Sequence, residues 1–233
     1  MLLCKEHPAP RYPVIVLVLF FLFSNACSIF PVQARDPYAL DPKLLDNAEK
    51  KFGQSAKKRL LAWQELMQHN DHQNDLALLN EVNSFFNAMA FVADIDHWQQ
   101  KDYWATPVEF LASNGGDCED FSLAKYFTLK KMGIAESKLN LTYVTSLVLK
   151  QAHMVVTYYE SPGAEPLVLD NLVKEIKPAS QRSDLLPVYS FNGTGLWLAK
   201  ARGRGQLVGD STNLKRWQDL MKRMPEGFAE DSL

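Results

Sequence analysis

The sequence predicts an α+β fold in which N-terminal helices pack on an antiparallel β-sheet, and three observations predict it. Leu44, Leu45, Ala48, Phe52, Leu60, Trp63 and Leu66 recur at helical spacing across residues 41–68. From Leu139 onward the period falls to two, through Leu141, Tyr143, Leu147 and Leu149. The helical segments come first and the strands later, instead of alternating as βαβ units do, so an antiparallel sheet is expected.

The chain opens with a different signature. Lys5 and Arg11 precede an unbroken apolar run from Val14 to Phe23, and Val32-Gln33-Ala34 then offers small residues suited to cleavage. Such a run spans only ~15 Å of helix, too short to cross a bilayer comfortably. Residues 1–34 therefore read as a secretory signal peptide cut after Ala34, and residues 35–233 as a single domain exported to the periplasm. The competing reading is an uncleaved anchor. Cys27 follows Ser24-Asn25-Ala26, but Asn25 fits a lipoprotein signal poorly.

Within the domain, Asp41-Pro42 supplies a cap and first turn for the helix over 41–68, and Gly53 can kink or break it. A second amphipathic helix covers 75–92. Residues 102–107 (DYWATP) read as a loop, and Pro107 opens a short helix to Ser113. Gly115-Gly116 ends that helix and allows a sharp turn. The next helix starts near Asp117 and stops at Gly133. Its apolar residues Phe121, Leu123, Ala124, Phe127 and Leu129 cover more than one face, so it should be largely buried. Strands are expected over 139–149, 152–159 and 167–172, with a tight turn at 161–166. An Asn-Gly hairpin turn and another strand follow within 191–200, and a terminal helix over 211–224.

Composition is that of an ordinary globular protein, 47% hydrophobic and 22% charged. Loss of residues 1–34 removes Lys5, Arg11 and Glu6, leaving 23 basic against 26 acidic residues and a net charge of −3. That balance gives no general attraction to nucleic acid, and the short basic stretch ARGRG (201–205) reads as a solvated loop. Cys4 and Cys27 leave with the signal segment, so Cys118 is the one exported thiol and no internal disulfide is expected. A lone thiol in an oxidising compartment is a liability unless it is buried or used.

Cys118 sits in GGDCEDF, beside Asp117, Glu119 and Asp120. Carboxylates oppose thiolate formation, whereas a helix N-terminus favours it. His153 falls on the second predicted strand and Asp170 on the third, and neighbouring strands can bring the two side chains within hydrogen-bonding reach. Cysteine at a buried helix start, histidine on a strand and aspartate on the next strand form a nucleophile–base–orienter set. The competing reading is a buried, inert cysteine and a structural histidine. His69, His72 and His97 lack a metal-ligand spacing or a catalytic companion. Trp98, Tyr103 and Trp104 fit the wall of a substrate cleft or the core equally well.

Three blocks in this order and spacing, DYWATPVEFLASNGGDCEDFSLAKYFTL, AHMVVTYY and PLVLDNL, resemble the bacterial transglutaminase-like cysteine proteinases of the LapG type, over about residues 75–195. The resemblance implies a papain/transglutaminase-like core and a triad falling on Cys118, His153 and Asp170. It implies a periplasmic protease that clips a large repeat-containing surface adhesin near its N-terminus, at a small-residue site, dispersing a biofilm. It also implies an inner-membrane cyclic-di-GMP receptor as sequestering regulator. One departure is Gln99, where the family pattern leads one to expect Gly after Trp98.

The resemblance further implies dependence on Ca²⁺, with Asp117, Glu119 and Asp120 as metal ligands. Helical geometry is compatible: Asp117 and Asp120 differ by about 60° around the axis and Cys118 and Asp120 by about 160°, so a cation and a substrate can lie on different sides of the helix start. A cation there would neutralise the acids that oppose the thiolate. The alternative is that these acids merely cap the helix and complement its dipole. Two other functions use the same fold: a transglutaminase-type acyl transferase with an amine acceptor, and a non-catalytic binding module.

Overall fold

The computed structural model describes residues 36–69, 74–198 and 205–228. The expected signal segment, His72 and residues 201–204 of the basic stretch lie outside them. Among the described residues, no helix is long and apolar enough to cross a membrane.

Asp41 caps α1 (Pro42–Phe52) by accepting from the Lys43 amide at 2.7 Å, with Pro42 in the first turn. Gly53, at φ 83°, breaks the predicted long helix in two, a conformation that an L-residue with a Cβ seldom adopts. The second piece, α2 (Gln54–Gln68), buries Ala56, Leu60, Trp63 and Met67. Asn74 caps α3 (Asp75–Phe86) through the Ala77 amide. This helix stops short of residue 92 because the chain turns into β1 (Ala90–Phe91), which pairs in parallel with β2 (Gly115–Gly116). Pairing with the glycine pair overrides the helical periodicity there.

Two short helices follow, α4 (Asp94–His97) and α5 (Pro107–Ser113). The second has a capping box of Thr106 and Glu109, and it ends at Asn114 in the left-handed region. Arg59 of α2 donates to the Leu111 and Ala112 carbonyls, satisfying acceptors at its C-terminal end. The central helix α6 (Cys118–Lys131) is buried on nearly all sides, as its apolar pattern requires. Trp63 donates its indole N–H to Thr128 Oγ1 at 2.9 Å, and Phe110 meets Phe121 edge-on at 4.8 Å.

The sheet contains β3 (Leu139–Ser146), β4 (Gln151–Tyr158), β5 (Leu167–Leu169), β6 (Lys177–Pro178), β7 (Leu185–Asn192), β8 (Gly195–Leu198) and β9 (Leu207–Gly209). Its order is β6-β5-β4-β3-β7-β8-β9, antiparallel throughout. Met154 and Val156 of β4 join the core beneath α6, together with Leu139, Leu141 and Leu169. Each such fully buried side chain contributes about 1.5–3 kcal/mol. The terminal helix is shorter than predicted: a 3₁₀ turn at Ser211–Asn213 precedes α7 (Lys215–Met221), whose Trp217 stacks on Phe127 at 5.5 Å.

The Gly115 turn sets where α6 begins. Its φ is 147°, and a Cβ there would lie 2.1 Å from the Ala90 carbonyl oxygen. Gly115→Ala is therefore expected to destabilise the fold by more than about 2 kcal/mol, read as a lowered urea midpoint at unchanged m-value. A wild-type midpoint would show that the β1–β2 pairing is not rigid.

Candidate active site

Cys118 is the first residue of α6, and the glycine pair before it allows the chain to approach Asp120 closely. A Cβ on Gly116 would lie 2.1 Å from Asp120 Oδ2. Asp120 is completely buried; its Oδ1 accepts from the Ala105 amide at 2.7 Å and its Oδ2 from the Asp117 amide at 3.3 Å. It thereby fastens the DYWATP loop to the helix start. Ser122 Oγ, one turn on, donates to the Met154 carbonyl at 2.9 Å and fixes α6 against β4.

The Cys118 thiol is half-buried and donates to Glu119 Oε2 at 3.1 Å. Burial pushes it well above the usual thiol range, and the charges of Glu119 and Asp117 add to that; the Met154 amide, donating to sulfur, opposes them. His153 and Asp170 are brought into direct contact, with Nε2 2.8 Å from Oδ1 and both side chains buried. An ionised carboxylate only accepts, so Nε2 carries the proton and Nδ1 is left with a lone pair. Asp170 Oδ1 also accepts from the Leu172 amide at 3.0 Å, and Oδ2 accepts from Arg182 Nη2 at 2.7 Å. Burial alone would raise Asp170, but the bonds from His153, Leu172 and Arg182 outweigh it and hold the carboxyl at about 2.

These three sequence-predicted residues therefore arrive in one region by the expected route. His153 faces Val144 in the β3–β4 register, and Asp170 directly follows β5, which pairs with β4. The thiol's hydrogen bonds run to Glu119 and to the amide of Met154, the residue after His153; none runs to the imidazole.

The acids form a larger cluster than the sequence disclosed. Carboxylate oxygens of Asp94, Asp117 and Asp120 lie within 4.8 Å of one another, and so do those of Asp94, Asp102 and Glu119. Asp117 and Glu119 also group with the Cys118 sulfur on this criterion. Buried Oδ1 atoms of Asp94, Asp102 and Asp117 have no hydrogen-bond partner. Burial raises Asp94 to about 6 and Asp117 to about 10, reinforced by neighbouring carboxylates, and raises Asp102 as well. Asp117 and Asp120 form a capping box at the start of α6, so the helix cap is present; the orphaned Oδ1 atoms and the mutual repulsion of the buried carboxylates fit a hard divalent cation in addition. Asp120 differs from the rest, because both of its oxygens accept backbone amides. It belongs to the cluster and to the helix start at once.

Asp94 and Asp102 were not singled out from the sequence. In DIDHWQQKDYW they resemble first-turn and loop acids, and only the fold turns them toward residues some 20 positions away. Gln99, between them, has φ 56°, a conformation natural to the glycine that the resemblance leads one to expect. His97 is structural, its Nε2 2.8 Å from Ser113 Oγ. Trp104 is buried and stacks on Phe191, as the core reading expects, and it also borders a cleft of about 430 Å³ with Tyr143, Tyr189 and Arg216, which none of Cys118, His153 and Asp170 lines.

The sequence profile of the bacterial transglutaminase-like cysteine proteinases (BTLCP) matches residues 50–197. Solved structures of Legionella pneumophila LapG are 45% identical, with 78% of this chain covering 95% of theirs at a TM-score of 0.68. An EGTA-treated form of that protein gives 0.69 with the same coverage, and a calcium-bound form gives 0.67 with 97% of its chain covered. No curated protein matches the chain. The fold is the transglutaminase-like one, and the chain belongs to the bacterial transglutaminase-like cysteine proteinases.

Proposed function

We propose that this protein is a periplasmic, calcium-dependent cysteine endopeptidase that cleaves a large repeat-containing surface adhesin near its N-terminus, releasing it and promoting biofilm dispersal. The observation that carries the reading is the buried His153–Asp170 pair beside a cysteine at a helix start, in a chain 45% identical to LapG. An inner-membrane cyclic-di-GMP receptor that sequesters the enzyme fits the same reading.

In the reaction, Cys118 sulfur attacks the peptide carbonyl as the thiolate, its proton having passed to His153 Nδ1. The helix-start amide of Cys118 donates to the developing oxyanion. His153 then gives its proton to the departing amine and an acyl-enzyme forms. Water, deprotonated by the same imidazole, hydrolyses the thioester and regenerates the thiol. Asp170 stays ionised throughout and keeps the proton on Nε2. Asp117, Glu119 and Asp120, joined by Asp94 and Asp102, would hold Ca²⁺, with Asp120 also fastening the loop to the helix start, and the ion would supply positive charge that offsets the acids around the thiol.

The test is incubation of the purified protein with an N-terminal adhesin fragment in the presence of a labelled primary amine. Hydrolysis predicts new fragments ending in a free carboxylate, with label in only a minor fraction. A predominantly amide-linked product would instead assign a transglutaminase-type transferase, and no product of either kind would favour a binding module.

A further inference from the structure

The Asp170 carboxylate is held by a side chain that the sequence did not single out. Arg182 lies just before β7, and it is 4% exposed. Its Nη2 donates both to Asp170 Oδ2 at 2.7 Å and to Asp184 Oδ2 at 2.7 Å, while its Nε donates to Asp184 Oδ1 at 2.9 Å. The Asp184 contact is a two-point fork, which fixes the guanidinium plane. The backbone is tied as well: the Arg182 amide donates to Ala179, its carbonyl accepts from Leu185, and the Asp184 carbonyl accepts from Leu147 at 2.8 Å.

We propose that Arg182 is a positioning residue for the catalytic pair, fixing the Asp170 carboxylate so that His153 is held in its Nε2–H tautomer. The inference rests on the Cys118–His153–Asp170 reading. The two Asp170 oxygens divide their partners, Oδ1 accepting from His153 and the Leu172 amide and Oδ2 accepting from Arg182. Without Arg182 a buried carboxylate would lose its charged partner, and protonation would become its way out of a desolvated site. A protonated Asp170 could donate to the ring, moving the imidazole proton to Nδ1 and blocking the nitrogen that must receive the thiol proton.

The other charged groups around Asp170 do not replace Arg182. His153 is the group being oriented, and Asp184 carries the same sign as Asp170. Lys125 of α6 is one step removed: its Nζ donates to Asn87 Oδ1 at 2.7 Å, and Asn87 Nδ2 donates to the Asp170 backbone carbonyl at 2.9 Å. Burial lowers Lys125 to about 7, with Asp170 opposing the shift, so its charge is partial at neutral pH. Arg182 is a permanent cation.

The experiment compares Arg182→Met, Arg182→Lys and Arg182→Gln in the calcium-loaded protein, reading His153 ring nitrogens by ¹⁵N NMR and kcat and KM on the adhesin fragment. Arg182→Met is expected to mix the tautomers and lower kcat by about 10- to 100-fold, the scale of a small misalignment of a catalytic group, with KM unchanged. Arg182→Lys keeps a charge and a donor and should recover most of the loss; Arg182→Gln keeps a donor alone and should not. If Arg182→Met does not fold, the Lys and Gln pair decides. Equal kcat and equal tautomers in that pair, or a folded Arg182→Met with wild-type values, overturns the proposal. Cleavage by Cys118→Ala or His153→Ala would overturn the triad instead, so the two failures are separable.

Discussion

Cys118→Ala should be folded and inactive, with cleavage of the adhesin fragment down by about 10⁴-fold or more. The size follows from removing the atom that forms the covalent intermediate, which no neighbouring group can replace. Glu119 is the thiol's hydrogen-bond partner, but a carboxylate beside other carboxylates is a poor nucleophile toward an amide. Folding should survive because the start of α6 does not depend on sulfur. It is built from Asp120 accepting the Ala105 and Asp117 amides and from Ser122 donating to Met154. His153→Ala should lose a comparable amount, whereas Asp170→Asn should keep a trace, since an amide can still hold the ring though in the wrong tautomer. Mass spectrometry of the fragment and circular dichroism of each variant give the two readouts. Wild-type cleavage by the alanine variant would remove Cys118 from the chemistry altogether.

The residues legible in the sequence were those whose roles are encoded locally. Gly53, Gly115 and Gly116 announce turns by lacking a side chain, and each sits where a Cβ would meet strain or backbone or carboxylate atoms. The β3–β4–β5 meander was legible from its period of two and its tight turns, but β3 ends at Ser146, and Leu147 and Leu149, expected in the strand, lie exposed in the turn that reverses the chain into β4. The position of His153 against Asp170 followed from that meander, because strand pairing fixes which residues meet. The shortening of α3 was not legible. Its apolar residues keep helical spacing to residue 92, and only pairing with a distant glycine pair removes the last turn. Most of β7, residues 185–190, was missed because Leu185 to Val188 contains a proline and a bulge, which blur alternation. Asp94, Asp102 and Arg182 were missed for a further reason: each acts on a partner distant in sequence or on another element, and neither an acid in a loop nor an arginine before a strand signals that from its neighbours.

Calcium removal is the second large effect, and it has a sign in stability as well as in rate. EGTA should lower cleavage by about 100-fold, because the unscreened acids then oppose the thiolate and the helix start loses its alignment with His153, and Ca²⁺ should restore it while Mg²⁺ does not. Mg²⁺ keeps its water and demands octahedral geometry, which this cluster of carboxylates from α4, the 102 loop and the α6 start is poorly shaped to give. Asp94→Asn removes a carboxylate whose Oδ1 has no other partner, so it should raise the calcium concentration needed for half-maximal activity. Asp120→Ala should resemble EGTA treatment and resist rescue by moderate calcium, because it also releases the amides of Ala105 and Asp117. The stability readout does not depend on turnover. Asp94 is raised from 3.8 to about 6 by burial and by its acidic neighbours. A carboxyl raised on folding contributes stability that is full below its unfolded pKa and is lost as pH rises through its folded value. In EGTA the melting temperature should therefore fall as pH goes from about 4 to about 6, between the unfolded and folded values of Asp94. Added Ca²⁺ should flatten that fall and raise the melting temperature at pH 7, since a cation that binds the folded acids stabilises them by mass action. A melting curve insensitive to calcium at pH 7, together with full cleavage in EGTA, would leave the acids as a helix cap and the orphaned oxygens of Asp94, Asp102 and Asp117 without a ligand.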